Sequence, residues 1–136
     1  MMNTEPEPER RTSGRSPEPE WASEQFCYVT TTGRVTGRPH EIEIWFGYAD
    51  GTLYLMSGGG RRSDWVKNML ADPRVTVRVD TETFAARAHV VEDPDEETTA
   101  RRLITSHYQG WREGQEMSEW GRTALVVALD PDPRGS

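Results

Sequence analysis

The sequence has little cysteine, few basic residues and no long apolar run, and each shortage excludes a class of protein. Cys27 is the only cysteine among 136 residues, so the chain cannot form an internal disulfide or a multi-cysteine metal site. No apolar stretch approaches the ~20 residues that a membrane-spanning helix needs. Acidic residues outnumber basic ones by 23 to 16, and the charge of −7 argues against nucleic acid or an anionic membrane as partner. The first residues lack the basic and apolar regions of a signal peptide, so we predict a cytoplasmic protein.

Two polar ends flank a body that can fold. Residues 1–20 hold four Pro, five Glu and three Arg, and this composition predicts a disordered arm, either a solubilising tail or a binding segment. Residues 131–136 form a second short polar tail that we expect to be flexible. The body between them, residues 21–130, is long enough for one domain.

Alternation of apolar and polar residues predicts that most of this body is β-sheet. Every second residue in the segment 41–48 is apolar, which is typical of a half-buried strand. Asp50-Gly51 then supplies the positive φ angles of a tight hairpin turn. Further strands are predicted over residues 26–32, 52–56, 75–79, 83–91 and 123–129. The last of these is apolar throughout, as expected for a strand covered on both faces.

Helices interrupt the strands at two places. The first helix is predicted to begin near Ser63, a good N-cap, and to stop at Asp72-Pro73. The second follows Asp93-Pro94, and the segment 110–121 is expected to be a loop with room for one more helical turn. These elements indicate a mainly β (α+β) fold. We predict a small closed or split antiparallel β-barrel of about six strands, with two or three helices at its rim, since closure removes exposed strand edges.

The segment from Ser57 to Trp65 predicts an anion site. Three glycines leave a predicted strand, two arginines follow, and a helix then begins. Backbone N–H groups, a helix N-terminus and guanidinium groups all favour phosphate or carboxylate. The pattern matches neither a Walker loop nor a dinucleotide fingerprint, and a flexible turn with solvated arginines is the alternative.

A second arginine and glycine cluster lies at residues 33–38, between the first two predicted strands. In a barrel, this turn and the glycine loop could share one rim, which would bring together Arg34, Arg38, Arg61 and Arg62. Four arginines in an acidic protein predict a polyanionic partner such as a phosphorylated cofactor. The alternative is that they pair with Glu41, Glu43 or Asp64.

Tryptophan and histidine supply the remaining candidates. Trp45 lies on an otherwise polar strand face, which predicts a ring platform or a subunit contact. Trp65 is a core residue or a site residue. His40 is close enough to the Arg34 cluster to line a site, whereas His89 and His107 are expected to be structural. No histidine has ligand spacing, so no metal site is predicted.

Two motifs together give the sequence a resemblance to a known family. One is the Thr-Thr-Thr-Gly-Arg turn within residues 26–39, and the other is Trp-x-x-Asn-x-x-x-x-Pro-x-Val from Trp65 to Val75. The chain resembles the deazaflavin-dependent nitroreductase family from about Phe26 to Asp130. The resemblance implies a split β-barrel of the flavin and deazaflavin oxidoreductase superfamily that binds coenzyme F420.

The function implied by the resemblance is an F420H2-dependent reductase that transfers a hydride to a quinone, a nitro compound or an activated alkene. Arg34 matches the family's turn arginine near the phosphate and polyglutamate tail, and Ser57, Trp65 and Asn68 match positions beside the coenzyme. Val35 stands where many relatives carry Lys, and Arg61 and Arg62 are expected to supply that charge. The predicted coenzyme-binding set is Arg34, Thr36, Arg38, His40, Trp45, Ser57, Gly58, Gly59, Gly60, Arg61, Arg62, Trp65 and Asn68.

Two other functions remain open at this stage. The barrel could bind FMN or haem, because one fold hosts several cofactors, or it could be a noncatalytic module that stores or delivers F420. A small-molecule electron acceptor and a homodimer are the expected partners. Catalytic residues stay unassigned, since a tyrosine, His40 or solvent could supply a proton.

Overall fold

The computed structural model describes residues 18–132. The strands are β1 Phe26–Thr32, β2 Pro39–Trp45, β3 Gly47–Ala49, β4 Thr52–Ser57, β5 Arg74–Val79, β6 Glu82–Val90 and β7 Leu125–Pro131. The helices are α1 Asp64–Ala71, α2 Pro94–Gln109 and α3 Glu119–Thr123. The predicted disordered arm and flexible tail fall outside the described residues, except for residues 18–20 and 131–132. Strand β7 reaches Pro131, and the Asp132 N–H donates to the Ala85 carbonyl oxygen at 2.8 Å.

The seven strands form one antiparallel sheet in the order β2-β1-β5-β6-β7-β4-β3. Strands β2 and β3 lie at opposite edges of this order, yet the single residue Phe46 joins them. One residue cannot bridge a flat sheet whose strands are spaced about 4.8 Å apart, so the sheet curls until its edges meet. The predicted split barrel is therefore confirmed, and the strand predicted over 41–48 is bent into two.

The bend at Phe46 has a specific partner. The Phe46 N–H donates to the Tyr108 hydroxyl at 3.3 Å, and that hydroxyl donates toward the carbonyl oxygens of Phe46 and Gln25 at 2.8 and 2.6 Å. One side chain of α2 therefore forms the hydrogen bonds that a neighbouring strand would otherwise make with the backbone of Phe46. The next position, 47, requires glycine because a Cβ there would lie 2.7 Å from the Leu103 side chain.

The interior has two layers on either side of β7. Val127 and Leu129 face the barrel core with Val29, Leu53 and Val77, all of them fully buried. The alternate residues Ala124, Val126 and Ala128 pack under α2 instead. Coverage on both faces explains the apolar run from Ala124 to Leu129, as the sequence predicted.

Tyr108→Phe is predicted to lower the free energy of unfolding by about 1–3 kcal/mol, because it strips a partner from the buried backbone groups of Phe46. Tyr28→Phe is the matched control, since the Tyr28 hydroxyl donates to the exposed Glu43 carboxylate at 2.7 Å. Its effect should stay within about 0.5 kcal/mol. Urea unfolding of both variants measures the difference. Equal losses would contradict the role given to Tyr108.

Candidate functional site

An open groove of about 370 Å³ lies at the start of β2, beside α1. The turn after β1, the start of β2 and the first turns of α1 form its walls. Strand β2 is an edge strand that pairs with β1 along its whole length, and its first residues reach the groove. The lining residues are Gly33, Arg34, Val35, Thr36, His40, Glu41, Ile42, Asp64, Trp65 and Asn68.

Glycine shapes the turn that forms one wall. The Gly33 N–H donates to the Arg38 carbonyl oxygen at 2.7 Å, and Gly37 has a φ of 76°, a left-handed conformation that favours glycine. A Cβ on Gly33 would lie 2.7 Å from Nε2 of His40. The turn therefore needs glycine at position 33 so that the His40 ring can lie against it.

Arg34 crosses from this turn to α1. Its Nη1 donates to Oδ1 of Asn68 at 2.8 Å and to the Asp64 carbonyl oxygen at 3.5 Å, and its Nη2 forms an ion pair with the Asp64 carboxylate at 3.3 Å. The ion pair confirms one alternative raised from the sequence, that a turn arginine pairs with Asp64. Arg34 still lines the groove, because a third of its side chain remains exposed.

The glycine loop is held from inside by two serines. The Ser57 hydroxyl, 3% exposed, donates to the Gly60 carbonyl oxygen at 3.1 Å and lies 2.8 Å from the Ser63 hydroxyl. Ser63 occupies the predicted N-cap position of α1, but its side chain makes no capping hydrogen bond. A Cβ on Gly59 would lie 2.5 Å from the Ser63 hydroxyl oxygen, so a larger residue would disrupt this pairing.

The loop brings two further arginines to the same end of α1. Arg61 and Arg62 form a short 3-10 helix with Gly60 immediately before Ser63 and Asp64, the residue that Arg34 contacts. Within residues 18–132, the side chains of Arg38, Arg61 and Arg62 make no ion pair. The two arginine stretches predicted to share a rim are therefore adjacent along one helix end, although the groove lining includes Arg34 alone of the four.

The two candidate tryptophans lie in different surroundings. Trp65 is half-buried, packs against the barrel core and lines the groove. Trp45 lies at the far end of β2 and stacks on Tyr108, with ring centres 4.6 Å apart, and edge-on against Trp120 at 5.7 Å. Its aromatic neighbours thus come from its own chain, and its role as a coenzyme contact stays a prediction. Trp120 also packs against Gly58, where a Cβ would lie 3.2 Å from its ring.

The three histidines lie in different surroundings, and their predicted roles stay predictions. His40 lines the groove. His89 lies 3.4 Å from the Asp130 carboxylate, and the His107 ring packs edge-on against Tyr108. No cluster of three His, Cys, Asp or Glu side chains that could hold a metal ion occurs in the described part of the chain.

Sequence reasoning missed half of the lining, namely Gly33, Val35, Glu41, Ile42 and Asp64. Ile42 lies two residues after His40 on β2, so strand alternation places the two on one face and carried a signal for Ile42, whereas it places Glu41 on the opposite face. From the sequence, Asp64 is expected only as a partner for arginine. Val35 stands where many relatives carry Lys. It lies at the tip of the turn and is 87% exposed.

Comparison with known proteins identifies the family. The sequence model of the F420H(2)-dependent quinone reductase family matches residues 4–130, nearly the whole chain. The chain belongs to this family. Its coenzyme is F420, and its function is that of an F420H2-dependent oxidoreductase, as the motifs at Arg34 and from Trp65 to Asn68 predicted.

Solved structures show the same fold at low identity. An F420-H2 dependent reductase (FDR-A) has a TM-score of 0.63 and 20% identity, covering 79% of this chain and 95% of that chain. A protein from Listeria innocua described as a pyridoxamine 5'-phosphate oxidase has a TM-score of 0.63 and 18% identity, covering 82% of this chain and 87% of that chain. A structure described as a domain-swapped dimer has a TM-score of 0.63 and 21% identity, covering 79% of this chain and 81% of that chain.

No helix in the range 18–132 is long and apolar enough to cross a membrane. The longest, α2, has 16 residues and carries three acidic residues in its first turn.

Ser57→Ala and Ser63→Ala are each predicted to lower the free energy of unfolding by about 1 kcal/mol. Because the two hydroxyls bond to each other, the double variant should lose less than the sum, with a coupling of at least about 0.5 kcal/mol. Ser106→Ala serves as control, since its exposed hydroxyl bonds within α2 to the Leu103 carbonyl oxygen and should combine additively with Ser57→Ala. Urea unfolding measures all five variants, and additivity of Ser57 and Ser63 would refute the proposed lock on the loop.

Proposed function

We propose that the reductase binds F420 in the groove between the 33–38 turn and α1, and that it reduces a quinone there. The observation that carries this proposal is the position of Arg34, which α1 holds at the groove wall while a third of its side chain stays exposed. Arg61 and Arg62 flank the same helix end, in a protein whose net charge is −7. A concentration of positive charge in an acidic protein suits the anionic tail of the coenzyme.

The residues of the groove fit both parts of such a ligand. Arg34 can bind phosphate or carboxylate, and the half-buried Trp65 offers a flat apolar surface for a ring system. Ile42 and Val35 are further apolar residues of the lining. Of the carboxylates in the lining, Glu41 is paired with Arg78 at 3.4 Å and Asp64 with Arg34, which lowers their repulsion of an anion.

The protein's task is to bind, orient and shield the reactants. Reduced F420, when bound, supplies the hydride for the acceptor. Arg34 anchors the anionic part of the coenzyme, and Trp65 with Ile42 keeps water from one side of the groove. The serine-locked loop holds the Gly58 to Gly60 backbone in one conformation beside α1. The other predicted contacts, at Thr36, Arg38, Trp45, Arg61 and Arg62, stay part of the proposal.

The hydrogen bonds narrow the choice of proton donor. The hydroxyls of Tyr28 and Tyr54 donate to Glu43 and Glu96, each at 2.7 Å, and the Tyr108 hydroxyl donates to backbone carbonyls. Burial raises the pKa of Tyr108 further above its ordinary value, so this phenol is a weaker acid than usual. No tyrosine among the described residues belongs to the groove lining, so His40 and solvent are the proton sources that we propose there.

Parallel titration of the protein with F420, FMN and haem tests the cofactor assignment. We expect F420 to bind with a Kd below about 100 μM, and FMN and haem to bind more weakly. Reduced F420 should then be oxidised when menadione is added, measured by the return of oxidised F420 absorbance. Tighter binding of FMN or haem would favour the alternative cofactors, and F420 binding without oxidation by any quinone would favour a carrier.

A charge reversal at the groove mouth tests the location. Val35→Lys should tighten F420 binding and Val35→Glu should weaken it, with a difference between them of about tenfold at low salt that shrinks at high salt. Because Val35 is 87% exposed, neither change disturbs the core. The same pair at Leu70, which is 49% exposed on α1 and outside the groove lining, is the matched control. Equal effects at both positions would place the coenzyme elsewhere.

A homodimer and a cytoplasmic location complete the proposal. A domain-swapped dimer among structures of the same fold supports dimerisation. Trp45 stacks on Tyr108 and is only half-buried, and its place at a subunit interface stays part of the proposal. Sedimentation velocity measures the oligomeric state, and cell fractionation measures the location.

A further inference from the structure

Asn68 is a polar side chain buried almost completely beside the groove. It is 3% exposed, whereas the Arg34 side chain that it contacts is a third exposed. A buried amide needs hydrogen-bond partners, and its partners define its role.

The amide oxygen of Asn68 is fully used by Arg34. Its Oδ1 accepts from the Arg34 backbone N–H at 3.2 Å and from Arg34 Nη1 at 2.8 Å. Both Arg34 groups are donors, so the oxygen and not the amide nitrogen must face them, and two bonds occupy its two lone pairs. Nδ2 donates on the other side to the Thr31 hydroxyl at 3.2 Å.

The bonds on the two sides of the Arg34 guanidinium differ in strength. The inner side meets the buried Asn68, where little water competes and a hydrogen bond to a charged group is strong. The outer side meets Asp64, whose side chain is 85% exposed, at 3.3 Å. An exposed ion pair of this kind contributes little, so an incoming anion can displace the carboxylate.

We propose that Asn68 is a positioning residue that acts on the coenzyme's anionic group through Arg34. This inference rests on the proposed function of the groove. Asn68 fixes both the backbone and the guanidinium of Arg34 before the ligand arrives, and Asp64 occupies the outer face of the guanidinium until the ligand anion replaces it. The arginine is therefore pre-organised, and binding does not have to order a long flexible side chain.

A double-mutant cycle tests the proposal on the full chain, with F420 as the ligand. Arg34→Ala is expected to weaken F420 binding at least about tenfold, and Asn68→Ala by a similar factor. In the Arg34→Ala background, adding Asn68→Ala should change the affinity less than about twofold, because the residue on which it acts is gone.

The salt dependence separates positioning from general stability. Asn68 is neutral, yet its replacement should flatten the salt dependence of F420 binding as much as the loss of Arg34 does. Thr31→Val is the matched control, since it removes the partner of Nδ2 and leaves Oδ1 free to hold Arg34. Thr31→Val is expected to lower Tm but to leave the F420 affinity within about twofold and the salt dependence unchanged.

The outcomes are distinguishable. If Arg34→Ala leaves F420 binding unchanged, the proposed groove function fails together with this inference. If Arg34→Ala weakens binding but Asn68→Ala has no effect, or adds fully to it, the positioning role alone is overturned. Should Asn68→Ala fail to fold, Asn68→Ser replaces it, because its short side chain can stay near Thr31 while withdrawing the oxygen from the Arg34 guanidinium.

Discussion

The bend between β2 and β3 is the constraint on which this structure depends. Phe46 joins the two edges of the sheet, and Tyr108 takes up its backbone N–H and carbonyl so that the strand can change direction in a buried setting. The bend closes one end of the barrel. The groove lies toward the other end of β2, where His40, Glu41 and Ile42 line it beside α1.

Helix α1 gives the groove its chemical character. Two residues of α1, Asn68 and Asp64, hold Arg34. Just before the first turn of α1, the Ser57 and Ser63 hydroxyls bond to each other and fix the loop that carries Arg61 and Arg62. Ser63 gives up the usual capping bond to make that lock. Local helix stability is exchanged for a fixed loop beside the groove, which is consistent with a site that must present charge in one geometry.

Sequence patterns predicted the elements better than the contacts. The alternation of apolar and polar residues predicted the strands because one face of each is buried. Asp93 caps the start of α2, where its carboxylate accepts the Glu96 N–H at 2.9 Å, as expected for an aspartate at a helix N-cap. The two motifs predicted the family. The sequence did not reveal that Asn68 faces Arg34 or that Trp45 stacks on Tyr108, because these residues are 34 and 63 positions apart along the chain and no periodicity links them.

By itself, the sequence determined the acidic charge, the β-rich body, its start and stop signals, and the motifs of a deazaflavin reductase, since these follow from residue types over short distances. Only the tertiary structure decided which arginine lines the groove and which polar groups are already satisfied. Arg34, Arg38, Arg61 and Arg62 are equivalent as residue types. Arg34 differs from the others because barrel closure sets its turn against α1, where a buried amide and a carboxylate hold it.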